Sequence, residues 1–253
     1  MSSFMKDNFS TQSDKYQKFR PGYPADLYNY LISLTREKKI AWDCGTGNGQ
    51  VAKELAKYFD KVYATDISQS QLDQAEKAGN IFYEVAPAER TTFPPEIFDL
   101  ITVAQAIHWF NFELFYKEVK RTIKPGGILA VIGYGLFQSE EKLDAVIHHF
   151  YNNIIGPYWD KERKYIDENY QTIPFPFEEI TPPKFENQFN WTFPQLTGYL
   201  ETWSAVKHYI KKNNSNPLDL VLTDLQKAWG KGEEVRKIRM PILLRVGRLR
   251  VGR

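Results

Sequence analysis

The segment WDCGTGNG, residues 42–49, constrains this chain more than any other. Residues 39–43 before it are short and strand-like, while Val51, Leu55 and Phe59 after it lie four apart on one helical face. Three glycines between a strand and a helix permit a tight turn and let a ligand approach bare backbone near the helix N-terminus. A second short strand, residues 61–65, then ends in Asp66, which completes a βαβ unit. A carboxylate so placed can accept hydrogen bonds from both hydroxyls of a ribose, which implies an adenosine-like ligand. The turn lacks the lysine of a phosphate-binding loop. Gln50 also stands where the dinucleotide fingerprint, counted from Gly45, wants glycine or alanine, so a nicotinamide or flavin site is disfavoured.

The same alternation runs through the first half. Leu27, Tyr30, Leu31 and Leu34 mark a helix over residues 25–34. Ser68 and Gln71 have capping-box spacing ahead of a helix with Leu72, Ala75 and Ala78 as its buried stripe, and a strand follows at residues 81–85. Residues 98–104 are nearly all apolar, as expected of a strand buried on both faces of a parallel sheet. Asn111 is placed to cap a helix with an inner face of Phe115, Val119 and Ile123, and the Pro-Gly-Gly turn at 125–127 stops it before a strand at 128–132. The expected fold is therefore α/β: a doubly wound, Rossmann-like, mostly parallel sheet of seven strands with a helical and aromatic cap insertion. In such folds ligands bind outside the carboxyl ends of the strands, near the switch in strand order.

The second half differs in texture. Residues 143–158 read as an aromatic helix, TIPFPFEEITPPKF as a proline-rich passage and FENQFNW as a strand. Thr192 and Gln195 repeat the capping-box spacing before Leu196, Tyr199, Leu200 and Trp203, residues 218–229 form a further helix, and RMPILLRV closes the sheet. The chain thus divides into an N-terminal arm or flap (1–24), a ligand-binding core (25–137), a helical and proline-rich insertion (138–184) and closing strands and helices (185–253). Two copies of LRVGR at the end are too short for a repeat architecture and read as a frayed tail or a cloning remnant.

Composition narrows the partners. With 33 basic and 31 acidic side chains the net charge is +2, too even to point to nucleic acid or another polyanion. The basic residues Arg236, Lys237, Arg239, Arg245 and Arg248 are read as a solvated sheet edge rather than an RNA-binding strip. Cys44 is the only cysteine, which rules out an intramolecular disulfide framework and a multi-thiolate metal site. His148 and His149 are neighbours that point apart on a helix with no third ligand nearby, so no metal is expected. No apolar run approaches the roughly 20 residues that span a bilayer, and the polar start lacks a signal's apolar region; a soluble cytoplasmic protein is expected, with no membrane partner.

Taken together, DCGTGNG, the acidic strand end DIS, APAE, AQAIHWF and RTIKPGG resemble the motifs of class I methyltransferases that use S-adenosylmethionine, over most of the chain. The flanking pieces YQKFRPGYP and TGYLETWSAV are similar to the type 11 branch that includes trans-aconitate methyltransferase-like proteins. The resemblance implies S-adenosylmethionine as cofactor and S-adenosylhomocysteine as product. By similarity, Gly45, Thr46, Gly47 and Gly49 line the methionine and ribose side, Asp66 holds the ribose hydroxyls and Ile67 covers the adenine. Ala88 and Glu89 match the adenine-side loop, with Glu89 an acceptor for the amino group. Gln105 matches a position beside the methionine moiety, and Asp43 orients either the turn or the cofactor's amino group.

Four further residues bear on the acceptor. Tyr16 and Arg20 lie in the arm; an arginine fork suits the carboxylate of the cofactor or of the acceptor, and the alternative is a solvent-facing arm. His108 and Trp109 follow the fourth strand, where the methyl group is presented, and are the catalytic candidates: they either shape the acceptor pocket or, in the case of His108, supply a base. The aromatics Trp191, Phe193, Tyr199 and Trp203 are expected mainly to pack the cap. The expected activity is methyl transfer to a small-molecule acceptor, with a carboxylic acid as one class. The alternatives are an RNA or protein methyltransferase, which would call for an open basic cleft, and a non-catalytic module that binds the cofactor to order its arm.

Overall fold

The computed structural model describes residues 22–231 and 234–250. Five strands, β1 (Ile40–Cys44), β2 (Lys61–Asp66), β3 (Ile81–Val85), β4 (Phe98–Ala104) and β5 (Ile123–Tyr134), pair in parallel in the order β3-β2-β1-β4-β5. The order reverses at β1, which lies between β2 and β4, so the crevice of a doubly wound sheet opens at the carboxyl ends of β1 and β4. Three later strands, β6 (Glu178–Ile180), β7 (Glu186–Trp191) and β8 (Arg236–Arg248), run antiparallel: β8 pairs with β5, and β6 and β7 pair with β8.

Side chains alternate across the parallel strands and feed two cores. Ala41, Leu100, Ile128, Ala130 and Ile132 face α1 (Ala25–Leu34) and α2 (Gln50–Leu55), which contribute Leu27, Leu31, Val51 and Leu55. Between β2 and β3, α3 (Gln69–Leu72) is a single turn. Trp42, Ile101, Val103, Leu129 and Val131 face the other way, against Phe115 and Val119 of α4 (Phe112–Thr122). Each Val, Leu, Ile or Phe among them contributes about 1.5–3 kcal/mol on burial. Asn111 caps α4 by accepting from the Leu114 N–H at 3.2 Å, as its position in the sequence suggested.

The cap has its own aromatic core. α5 (Glu141–His149) runs into a π-helical turn at Phe150–Ile154, and α6 (Lys164–Asp167), α7 (Phe193–Glu201), α8 (Ser204–Asn213) and α9 (Leu222–Trp229) follow. Phe150, Trp191, Tyr199, Trp203 and Trp229 are buried together with Tyr134 and Phe137, the residues that lead out of β5. The expected packing role of the cap aromatics therefore holds for Trp191, Tyr199 and Trp203, while Phe193 is partly buried against the same core. His148 and His149 are both exposed. Among the described residues no helix is long and apolar enough to cross a membrane.

The structure corrects several expectations. The expected doubly wound, mostly parallel sheet is present, and Glu178–Ile180, inside the proline-rich passage, adds a short strand to it by pairing with β8. The stripe expected after Ser68 breaks off: Leu72 and Ala75 are buried, but the chain leaves the helix after one turn and Ala78 is exposed. The helix expected over 218–229 divides at Val221 into a 3-10 turn, Pro217–Leu220, and α9. Neither the last basic residues nor the first LRVGR copy is a loose edge. β8 is flanked on both sides, Arg245 binds Glu179 and the carbonyls of Tyr170 and Ile173, and Arg248 donates to the carbonyls of Gly126 and Leu34.

Candidate active site

The turn after β1 is built by glycine geometry and one buried acid. Gly45, Gly47 and Gly49 all have positive φ, at 68°, 56° and 80°. At Gly45 a Cβ would lie 2.6 Å from the Cβ of Ala106, so only glycine lets the exits of β1 and β4 meet at the crevice. At Gly47 a Cβ would meet, among the described residues, nothing nearer than Gln71 Oε1 at 3.8 Å, so these residues leave the turn open to a ligand there. The backbone N–H groups of Gly45 and Thr46 both donate to the Thr65 carbonyl at 2.9 Å, which anchors the turn to β2.

Asp43, 1% exposed, holds the turn from below. It accepts from Thr102 Oγ1 at 2.8 Å, Thr46 Oγ1 at 2.5 Å and the Ala52 N–H at 3.1 Å, and so fastens β1 to β4, the turn and α2. Burial pushes its pKa up to about 6, with repulsion from Asp66 adding to the rise and the three hydrogen bonds opposing it. Of the two roles expected for Asp43, these contacts support orientation of the turn. Thr102, missed from sequence, carries a faint signal as the lone hydroxyl in the apolar strand FDLITVA.

Asp66 ends β2 beside the turn. Its Oδ2 accepts from the Gly47 N–H at 2.8 Å and its Oδ1 from the Ser68 N–H at 2.9 Å. A carboxylate oxygen carries two lone pairs, so a carboxylate placed here is of the type that accepts from a diol. Ile67 follows it, 40% exposed. On the next loop Ala88 is buried, and Glu89 accepts from the Asn111 N–H at 2.8 Å through Oε1. Glu89 Oε2 is buried with no hydrogen-bond partner among the described residues. A desolvated carboxylate oxygen left open in this way is an acceptor for a donor group, such as an exocyclic amine.

Beyond β4, Gln105 has a positive φ of 53°, a conformation uncommon outside glycine. Its side chain donates to the Tyr134 carbonyl at 2.9 Å, which joins the exit of β4 to that of β5 and to the first residue of the cap core. His108 and Trp109 lie in a 3-10 turn, Ile107–Trp109, with ring centroids 4.9 Å apart. His108 is buried and stacked on Tyr170 with centroids 6.3 Å apart, so it forms part of the wall. Tyr170 is fully buried, has a positive φ of 59°, and wedges its ring against Gly133 of β5.

Asp43 and Asp66 thus lie at the carboxyl ends of β1 and β2, and the turn glycines, Thr46, Ile67, Ala88, Glu89 and Gln105 belong to the loops that leave β1 to β4 on the crevice side. Tyr16 and Arg20 lie outside the described residues. Tyr170 and its neighbour in the cap, Arg163, carried no signal in the sequence, because both stand in the insertion, far along the chain from the turn. Open backbone at Gly47, the diol-competent Asp66 and the open oxygen of Glu89 together fit an adenosine bearing an amino group.

The comparisons with known proteins agree with this geometry. The family described as "Methyltransferase domain" matches residues 42–131. A Dictyostelium discoideum protein named as a methyltransferase is 40% identical over 227 residues, covering 88% of this chain and 86% of its own. A Saccharomyces cerevisiae protein named as an S-adenosylmethionine-dependent methyltransferase is 24% identical over 262 residues, covering 88% and 89%. The solved structure of a type II methyltransferase from Anaeromyxobacter dehalogenans superposes with a TM-score of 0.86 at 37% identity, covering 92% of this chain and all of its own.

Proposed function

The chain belongs to the class I methyltransferases that use S-adenosylmethionine, and from that premise we propose that it methylates a small-molecule carboxylic acid. The observation that carries the small-molecule reading is the junction at Tyr134. Its carbonyl is held by Gln105 at the crevice and its ring lies in the aromatic core of the cap, so the acceptor side is walled by a folded cap. An aromatic wall suits a small ligand, whereas a nucleic-acid substrate calls for an open basic cleft. The resemblance of the flanking segments to trans-aconitate methyltransferase-like proteins supports a carboxylate as acceptor.

When bound, S-adenosylmethionine supplies an electrophilic methyl group. Asp66 holds the ribose hydroxyls, Glu89 Oε2 accepts from the adenine amine, and Ile67 and Ala88 cover the ring. Gly45, Thr46, Gly47 and Gly49 leave bare backbone for the rest of the molecule, with Gln105 beside it. Asp43 keeps the turn in shape. A carboxylic acid with a pKa near about 4 is ionised at neutral pH, so the nucleophile needs no general base and the protein's task is positioning. His108, packed on Tyr170, then serves as wall, together with Trp109.

Calorimetric titration with S-adenosylmethionine and S-adenosylhomocysteine, with NAD and ATP as controls, is the first test; micromolar binding of the two sulfur compounds alone is expected. Labelled methyl transfer to a panel of small carboxylic acids comes next. Binding of the cofactor without turnover of any acid would overturn the acceptor reading and favour a regulatory module.

A further inference from the structure

We propose that Arg163, in the cap, is the residue that recognises the acceptor's carboxylate; this rests on the acceptor class proposed above. Arg163 closes a 3-10 turn, Lys161–Arg163, that packs on the Ile107–Trp109 turn at the exit of β4. Its side chain is only 18% exposed. The guanidinium is held firmly from one side: Nε donates to Tyr151 Oη at 2.7 Å and lies 3.3 Å from Asp167 Oδ1, while the plane sits 4.7 Å from the ring centre of Trp159 and 5.4 Å from that of Tyr151. Asp167 in turn accepts from Tyr151 Oη at 2.6 Å, which fixes the partner that fixes the arginine.

What this arrangement leaves over is the fork. Neither Nη1 nor Nη2 of Arg163 meets a hydrogen-bond acceptor among the described residues. The other arginines that brace this structure behave differently. Arg121, Arg236, Arg245 and Arg248 each commit both η nitrogens to carboxylates or backbone carbonyls. An arginine kept for structure uses its fork; one anchored through Nε and two aromatic faces, with the fork open, is preorganised to receive a planar oxyanion through two parallel hydrogen bonds.

A second feature at the same wall points to a polar ligand. The hydroxyl of Tyr170 is buried with no hydrogen-bond partner among the described residues, in a residue that also bears a left-handed backbone. Buried, unsatisfied hydroxyls are rare, and backbone strain of this kind collects at ligand sites. Tyr170 stacks on His108 and is close enough to Arg163 to feel its charge. The turn that carries Arg163 and the ring of Tyr170 thus both pack on the Ile107–Trp109 turn at the β4 exit, and Tyr170 brings a buried hydroxyl with no partner among the described residues.

The test uses the full chain and an acceptor panel of benzoate, phenylacetate, succinate and citrate, each beside its neutral amide. Binding to the protein–S-adenosylhomocysteine complex is measured by calorimetry, and turnover with labelled S-adenosylmethionine. The wild-type protein is expected to prefer the acid of at least one pair. Arg163→Gln should raise KM for that acid by about tenfold or more, abolish the preference over the amide, and leave cofactor affinity unchanged. Arg163→Lys, which keeps the charge without the fork, should recover only part of the loss. An acid preference that survives in both variants with intact cofactor binding overturns the assignment to Arg163. A wild-type protein that binds cofactor but shows no acid preference overturns the acceptor class instead, so the two failures are distinct.

Discussion

Oδ2 of Asp66, at the tip of β2, accepts from the backbone N–H of Gly47 at 2.8 Å, and so ties the end of one strand to the glycine turn that follows another. The contact makes Asp66 part of the turn's frame as well as the residue proposed to meet the ribose. Asp66→Ala removes a charged acceptor from Gly47, Ser68 and the ligand at once. Cofactor affinity should fall about 10- to 100-fold, in keeping with the loss of charge-assisted hydrogen bonds. Because Asp66 ends its strand outside the apolar core, the variant should still melt cooperatively. Unchanged affinity by calorimetry would refute the ribose assignment.

Glu89→Gln is a finer probe of the adenine side. Glutamine can keep Oε1 on the Asn111 N–H and place an NH2 group where the open oxygen Oε2 stands. The fold should be as stable as the parent, yet a donor would then face a donor. Affinity for S-adenosylmethionine should drop about tenfold, while denaturant midpoints coincide. Equal affinities in the two proteins would remove Glu89 from the site.

Asp43 should leave a signature in the pH dependence of stability. Its folded pKa of about 6 lies above the ordinary value of 3.8, so the folded state holds a proton that the unfolded chain releases near pH 4. The stabilisation from this group is therefore fully present below about pH 4 and is lost as the pH rises through 6. The loss amounts to about 3 kcal/mol at most. Asp43→Asn carries no titrating proton, and the hydroxyls of Thr46 and Thr102 can rotate to accept from its amide. Denaturant unfolding of both proteins between pH 4 and 7 should show the parent losing ground against the variant across that window. A constant difference would mean that Asp43 titrates alike in both states.

Arg245 is the strut that makes the second half part of the sheet. Its side chain is 11% exposed, and it joins β8 to Glu179 of β6 and to the carbonyls of Tyr170 and Ile173. Arg245→Met removes the guanidinium that lies over Phe175 and is paired with Glu179, and leaves the Ile173 carbonyl without its side-chain donor, while the Tyr170 carbonyl keeps only the Ile173 N–H at 3.3 Å. We expect a loss of about 2–4 kcal/mol in urea unfolding. Since Tyr170 loses a backbone tether, acceptor KM should rise with it, while cofactor affinity holds. A variant as stable as the parent would show β6 to be dispensable.

Much of this protein was determined by local sequence. The positive-φ glycines at 45, 47 and 49, the apolar run of β4, the Asn111 cap and the acid that ends β2 are short-range signals, and each stands where its pattern placed it, while the strand before the turn runs one residue past Asp43, to Cys44. Such features depend on the conformational freedom of one residue or on side chains a few positions apart, so a linear reading suffices. The tertiary structure decided the rest. The three residues of β6 show no alternation and become a strand by pairing with β8, some 66 positions later, a pairing to which Arg245 adds its ion pair with Glu179. The first LRVGR copy looked like a tail until β5 and β6 enclosed it. The open fork of Arg163 is legible only in space: whether an arginine braces the fold or waits for a ligand depends on which acceptors surround it, and those come from elements that meet only when the chain has folded.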